Sequence, residues 1–227
     1  MRSFDYIESG KTLLTPHTTS LLAAIHEAKG RQSIQTTIRP DILGTLVAVA
    51  RIQSTDASNR IEGISTSDSR LNDLVSEKVT PRNRNEEEIA GYRDALSVIH
   101  ESHDYIPITP NVILQLHRDL FRHTPLTFAG HFKDSDNVII ERDAHGTSTV
   151  RFAPPSALVT PELIERACSA YTQAIRDGHT DPLLAIAMFI LDFTCIHPFN
   201  DGNGRMSRLL TLLMLCRNGY MVRSEER

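Results

Sequence analysis

Pairs of a helix-capping residue and a proline recur along this chain, and they constrain its fold more than any other feature. Each of these pairs precedes an apolar run: Thr109-Pro110, Thr160-Pro161 and Asp181-Pro182. A Thr or Asp side chain accepts hydrogen bonds from the free N–H groups at a helix start, and proline suits the first helical position. Asn85 is a further predicted start, because the glutamates that follow it favour the positive end of the helix dipole.

Apolar residues keep a helical spacing through most of the chain, as Val112, Leu116 and Leu120 do after the first of these starts. Residues 16–29 and 40–54 read as two further helices. With 40% hydrophobic and 23% charged residues, the 227-residue chain can bury a sizeable core. The sequence therefore predicts an all-α fold.

The segment VTPRNRN around Pro81 is the most convincing linker in the sequence. It divides the chain into an N-terminal helical region over residues 1–80 and a main domain over residues 81–227. A chain of this length suits one large domain with a small additional region.

One segment departs from the helical pattern. The runs NVII at 137–140 and TVRF at 149–152 favour strands, and Asp143, His145 and Gly146 separate them. The sequence thus predicts a β-hairpin over about 137–152 on a helical body. Such a hairpin could bind an extended peptide by strand addition, or it could be a surface loop without a role of its own.

Charge and cysteine content restrict the partners and the compartment. The net charge of -4 argues against general binding to nucleic acid or to an anionic membrane, and the longest apolar run is too short to span a bilayer. The N-terminus carries Asp5 and Glu8 and does not resemble a signal peptide. The three cysteines lie in helical apolar patterns, which predicts buried thiols and a cytoplasmic protein: Cys168, Cys195 and Cys216.

The stretch HPFNDGNGRMSR, residues 197–208, concentrates the chemically useful side chains. Pro198 ends the apolar helix before it, which predicts extended geometry for His197, and a new helix is expected from near Gly204 to Asn218-Gly219. The start of a helix presents free N–H groups and a positive dipole, and Gly202 and Gly204 let an anion approach the backbone. This turn therefore predicts a phosphate site.

The remaining side chains of the stretch fit a polyphosphate. The Asn203 amide can donate to a phosphate, and Arg205 and Arg208, three residues apart, are expected to project to one side of the helix and bind phosphate oxygens. Asp201 suits Mg2+, which prefers one or two carboxylates together with phosphate oxygens. His197 is the expected general base, Phe199 a core anchor, and a role for Cys195 as nucleophile is disfavoured because the proline turn separates it from His197.

This stretch resembles the Fic family signature, His-x-Phe-x-Asp/Glu-Gly-Asn-Gly-Arg-x-x-Arg, at every defined position. FAGHFKDSDNVII and RFAPPSAL are similar to the flap hairpin of that family and the segment that leaves it. The resemblance implies a helical core that transfers AMP from ATP to a Ser, Thr or Tyr hydroxyl of a protein bound along the flap. It places the nucleotide on Glu62, His197 and residues 202–208, including Met206 and Ser207. Asn203 and the loop amides are implied to bind the α-phosphate, and both arginines the β- and γ-phosphates.

SNRIEG, residues 58–63, resembles the inhibitory motif Ser/Thr-x-x-x-Glu-Gly/Asn of one class of the family. The resemblance implies a short inhibitory helix over about 56–63, formed by Ser58, Glu62 and Gly63, with Glu62 paired to Arg208 in the γ-phosphate position. Self-modification and homo-oligomers are further expectations. The alternatives are an enzyme that removes AMP, with Glu62 activating water, and a nucleotide-binding regulatory module with little turnover.

Overall fold

The computed structural model describes residues 4–38, 40–142, 146, 148–176 and 178–220. Within 33–48 and at 142, it describes the backbone alone. The described helices are α1 (Tyr6–Leu13), α2 (Pro16–Ile38), α3 (Pro40–Ile61), α4 (Asp68–Val75), α5 (Arg84–Ser102), α6 (Pro110–Leu120), α7 (Thr160–Arg176), α8 (Pro182–Ile196) and α9 (Asn203–Arg217). Strands β1 (Ile139–Arg142) and β2 (Ser148–Phe152) form one antiparallel hairpin. This confirms the predicted helical fold with a hairpin. None of the described helices has the length and apolar character needed to span a membrane.

Two of the predicted helix starts are confirmed in detail. Thr109 accepts a hydrogen bond from Val112 N at 3.4 Å, and Asp181 accepts one from Leu183 N at 2.9 Å. Thr160 is instead the first residue of α7, because a 3-10 turn over Ala157–Val159 leads directly into that helix.

The start predicted at Asn85 was two residues late. The side chain of Asn83 caps α5 by accepting from Glu86 N at 3.0 Å, and Asn85 lies within the first turn. Asn83 has an extended backbone, as a capping residue requires, and the glutamates still lie at the positive end of the helix.

Helix α8 runs through the core, as its apolar sequence predicts. It packs against α1, α7 and α9, and Phe189 and Phe193 are fully buried. Its single carboxylate, Asp192, is also buried and accepts a hydrogen bond from the Tyr6 hydroxyl at 2.9 Å. The polar contact ties α1 to the core helix, because a buried carboxylate needs a donor.

Helix α3 replaces two predicted elements. The helix predicted over 40–54 and the short helix predicted over 56–63 form one continuous helix that ends at Ile61. The separation was wrong because the residues between 54 and 61 include neither proline nor glycine, so nothing interrupts the helix. Glu62 follows its last turn, and Gly63 has a positive φ of 76°.

The face of α3 that packs against α5 and α9 is polar. Thr55, Ser58 and Asn59 are buried, whereas Ile61 is 69% exposed. Within the described part of the chain, Thr55 Oγ1 and Asn59 Oδ1 are buried without a hydrogen-bond partner. Unsatisfied polar atoms of this kind weaken a packing surface.

Hydrogen bonds of Glu86 connect the segment after α3 to the start of α5. Its carboxylate accepts from Arg70 Nη2 at 2.5 Å, from the backbone N–H of Arg82 at 2.9 Å and from Thr66 Oγ1 at 3.1 Å. These partners, Arg70 first among them, lower the pKa of the carboxyl to about 2. The domain boundary near Pro81 stays a prediction.

We expect Glu86→Gln to be less stable than the parent at neutral pH by about 1 to 3 kcal/mol, because one partner of a buried charged network is lost. The folded-state pKa lies below the ordinary value of 4.5, so the difference should shrink as the pH falls from 4.5 to about 2. Urea unfolding across this range measures it. Glu87→Gln, on the same turn, is the control, and an equal loss in both variants would contradict the assignment.

The structure supports buried thiols at two of the three cysteines. Cys168 and Cys216 are buried, and burial raises the pKa of the Cys168 thiol to about 12. Cys195 is only partly buried. None of the three forms a disulfide in the described part of the chain.

Candidate active site

The motif loop connects α8 to α9 and begins at His197. This residue caps α8 in the left-handed conformation, with φ 50° and ψ 63°, and its N–H donates to Phe193 O at 3.0 Å. The predicted extended geometry was wrong, because a left-handed residue closes the last turn of the helix with this hydrogen bond. His197 nevertheless lies just past the end of a buried helix, as predicted.

His117 supports the loop from α6. Its ring stacks on Phe199 with centroids 3.7 Å apart, and Phe199 is fully buried, as predicted. Nδ1 accepts from Gly130 N at 2.9 Å, so Nε2 carries the proton that reaches Asp201 O at 3.1 Å. Burial lowers the pKa of His117 to about 4, which keeps the ring neutral. These contacts make His117 a structural support of the loop.

Asn203 closes the loop with its side chain. Its Oδ1 accepts from Phe199 N at 2.9 Å, and its Nδ2 donates to Phe199 O at 2.8 Å. The residue is buried. Nδ2 carries two N–H groups and donates to Phe199 O through one of them, so the expectation that this amide also donates to a phosphate stays a prediction. The backbone N–H groups at the start of α9 are a further donor set for an anion.

The N-terminus of α9 has no side-chain cap. Gly202 holds the capping position with φ 80°, and a Cβ there would lie 2.9 Å from the Phe121 ring. At Gly204, a Cβ would lie 2.2 Å from Glu62 Oε1. The helix start is thus open to an anion, and the Glu62 carboxylate lies directly against it.

Arg208 binds the end of α3. Its Nη2 donates to Glu62 Oε1 at 2.7 Å and to Ser58 O at 2.9 Å, and its Nε donates to Ser58 Oγ at 2.7 Å. The predicted contact between Glu62 and Arg208 is present. Both side chains are about one-third exposed, so a competing anion can reach them.

Arg205 and Arg208 have different partners, and the expectation that both bind phosphate oxygens stays a prediction. Arg205 is 1% exposed, its Nη1 is 2.7 Å from Glu88 Oε2, and its guanidinium lies 5.0 Å from the Phe121 ring centroid. Arg205 and Glu88 therefore form an ion pair without an aligned hydrogen bond, since Nη1 has no hydrogen-bond partner in the part of the chain described. Arg205 faces the core because it shares a helix face with buried Leu209, one turn later.

The other two residues expected on the nucleotide also use their side chains internally. Met206 is fully buried, and the Ser207 hydroxyl donates to Gly204 O at 2.7 Å. Their expected contribution to nucleotide binding is therefore limited to their backbone groups in the first turn of α9.

Asp201 suits a hard cation but could not hold one alone. Oδ1 accepts from Gly202 N at 2.6 Å, whereas Oδ2 is 3.9 Å from Arg84 Nη2, and the side chain is 48% exposed. No group of three or more His, Cys, Asp or Glu among the described residues could form a metal site. The residues fit Mg2+ only as one carboxylate ligand that is completed by phosphate oxygens and water.

The hairpin base is joined to the motif loop. The Lys133 N–H donates to Pro198 O at 2.8 Å, Asn137 Nδ2 donates to Phe199 O at 3.3 Å, and Asn200 Nδ2 donates to Asp134 Oδ1 at 3.2 Å. The sequence contains no signal that identifies Lys133. Of the turn residues that predicted the hairpin, Asp143 and His145 lie outside the described residues.

His197 is the titratable group next to this junction. Burial lowers its pKa and Lys133 lowers it further, whereas the Thr194 carbonyl and the Glu62 carboxylate act in the opposite direction. The imidazole is therefore neutral at pH 7, as a general base requires.

Residues 107–215 match the model of the Fic/DOC family. A Fido domain-containing protein of Dictyostelium discoideum is 37% identical over 90 residues, which cover 38% of this chain and 58% of that protein. Protein adenylyltransferase fic-1 of Caenorhabditis elegans is 28% identical over 145 residues, which cover 60% of this chain and 25% of that protein. The chain thus spans less than two thirds of the length of these curated relatives.

A solved structure shares the fold. The crystal structure of a Fic domain containing signaling protein from Bacteroides thetaiotaomicron superposes with a TM-score of 0.74 at 24% sequence identity. The superposition covers 87% of this chain and 73% of that one. At this identity the likeness supports the fold of helices and hairpin.

Proposed function

The chain is a Fic-domain protein, and from this premise we propose that it transfers AMP from ATP to a Ser, Thr or Tyr hydroxyl of a protein. The observation that carries the proposal is the arrangement of the motif loop. A neutral histidine lies at its first residue, and the uncapped N-terminus of α9 lies at its other end. One end can accept a proton while the other binds a phosphate.

The target oxygen attacks the α-phosphorus of ATP, and the bond from that phosphorus to the oxygen of the leaving pyrophosphate breaks. His197 takes the proton of the hydroxyl. The first N–H groups of α9 bind the α-phosphate, and Arg208 binds the γ-phosphate. Mg2+ held by Asp201 would supply positive charge to the phosphates. Arg205 is proposed to support the loop from the core, because it is buried there in contact with Glu88.

The target is proposed to bind as an added strand along the hairpin. All five residues of β2 are exposed, and the hairpin base is hydrogen-bonded to the loop that carries His197. A strand added here would bring its hydroxyl residue next to the base.

Glu62 is proposed to inhibit the enzyme. Its carboxylate pairs with Arg208 and lies against Gly204, so it occupies space that the γ-phosphate requires. ATP would then bind with its α-phosphate displaced from His197. Release of Glu62 would permit transfer to targets and to the protein itself.

The same contact supports a second candidate, removal of AMP. A carboxylate at the start of α9 can take a proton from a water molecule that attacks the phosphorus of an AMP-modified side chain. The phosphorus–oxygen bond to that side chain then breaks, and the leaving oxygen takes up a proton. Loss of label from a premodified protein would distinguish this activity from transfer and from a nucleotide-binding module.

We expect label from the α-phosphate of ATP, but not from its γ-phosphate, to remain on protein after incubation with Mg2+. The physical reason is that the proposed attack is on the α-phosphorus, so the γ-phosphate leaves with the pyrophosphate, for which Arg208 is the proposed ligand. Mass analysis of the protein and of a cell lysate measures the added AMP. Retention of γ-label would instead identify a kinase. Retention of neither label would favour the nucleotide-binding module with little turnover.

A further inference from the structure

Lys133 lies beside the candidate base as a buried cation. It is 3% exposed, and its Nζ donates to Ile196 O at 3.1 Å and to Asn137 Oδ1 at 3.0 Å. Its backbone N–H donates to Pro198 O at 2.8 Å. The two carbonyls that Lys133 binds are therefore those on either side of His197.

Lys133 is costly to bury. No residue in the described part of the chain forms an ion pair with it, Asp136 acts on it only from a distance, and burial lowers the pKa of its ammonium group. A buried charge with neutral partners destabilises a fold unless local dipoles compensate for it. Here the Ile196 carbonyl lies at the negative end of the α8 dipole and offsets part of this cost. A cation that is buried at this cost indicates that Lys133 has a role at the neighbouring His197.

The backbone of His197 needs support from its neighbours. A left-handed conformation is unfavourable for a residue with a Cβ, and it persists where the surrounding contacts determine it. Lys133 holds both flanking carbonyls and thereby fixes the direction in which the imidazole leaves the backbone.

We propose that Lys133 is a positioning residue, which holds His197 in its left-handed turn and couples the hairpin base to the general base. The rate effect of this proposal rests on the proposed AMP transfer, whereas the effect on the histidine does not. A consequence is that the ammonium also favours the neutral imidazole, in opposition to Glu62 and the Thr194 carbonyl.

The test uses the full chain with Glu62→Gly, so that the inhibitory carboxylate is absent. We expect Lys133→Met to lower AMP transfer by about 10- to 100-fold, the order of loss for a displaced catalytic group. The acid limb of the pH–rate profile should move to higher pH, ATP affinity should not change, and Lys133→Arg should restore most of the rate. Lys133→Gln serves as a second variant if Lys133→Met does not fold.

Lys29→Met is the matched control. Lys29 also binds the end of a helix, since its Nζ donates to Asn218 O at 2.5 Å after α9, but it lies on α2 and does not contact the motif loop. We expect this variant to lose stability without a shift of the acid limb.

An NMR titration of the His197 ring without nucleotide separates this proposal from the proposed function. The ring should titrate at higher pH in Lys133→Met than in its parent, even if the parent transfers no AMP, an outcome that would refute only the function. An unchanged titration overturns the proposal, as does a rate loss that arginine does not restore.

Discussion

We expect His197→Ala to lower the proposed AMP transfer by about 100- to 10,000-fold, the typical contribution of a general base, and to leave the affinity for ATP largely intact. His197 is the first residue of the loop, whereas the N–H groups and Arg208, which are expected to bind the phosphates, belong to α9. The initial rate of α-label incorporation and calorimetric titration with ATP measure the two effects. Both measurements are best made on a protein that also carries Glu62→Gly, so that the starting rate is high.

His123→Ala is the control for the loss of an imidazole. His123 pairs with Asp94 at 2.7 Å, and the structure gives it no contact with the motif loop. It should retain the parent rate. If His197→Ala were as fast as this control, the assignment of the base would be wrong.

We expect Glu62→Gly to raise the proposed AMP transfer by about 5- to 150-fold, which corresponds to coupling between two sites of about 1 to 3 kcal/mol. The variant removes the carboxylate that now binds Arg208 and lies against Gly204, so the γ-phosphate can take its place. Labelling of the protein itself should rise together with labelling of other proteins. The rates are measured at saturating ATP.

Arg208→Ala is the matched control for this gain. It also frees Glu62, but it removes the proposed γ-phosphate ligand, so it should not reproduce the increase. Equal or lower activity of Glu62→Gly at unchanged ATP affinity would falsify autoinhibition. Glu62 would then be structural or would activate water for AMP removal.

Local patterns predicted the helices and the hairpin well. Caps such as Thr109 act on groups within the next turn, so the sequence alone contains both partners. Asn83 and Asn85 were harder to distinguish, because either asparagine has the capping chemistry and only the backbone at residue 83 is extended. The continuity of α3 also has a local cause, because no proline or glycine interrupts residues 54–61.

The candidate site was predictable where the groups are close in sequence, but the direction of its side chains was not. Arg205 turns toward Glu88, and Lys133 toward Ile196, because packing brings together residues that are distant in the chain. Asn203 shows another limit of the sequence. Its amide suits a phosphate and a loop closure equally, and only the fold shows that both ends of the side chain bind Phe199.

The polar packing face of α3 has a consequence for how strongly the proposed inhibition can act. Thr55 Oγ1 and Asn59 Oδ1 are buried without a partner in the described structure, so this face contributes less stability than a fully hydrogen-bonded one. If the proposed inhibition is correct and α3 can move away, basal turnover would report the fraction of the protein in that open form. If that fraction is about 1%, no mutation or ligand that acts by opening can raise activity by more than about 100-fold. The maximal activation of the enzyme would therefore measure the equilibrium of a single helix.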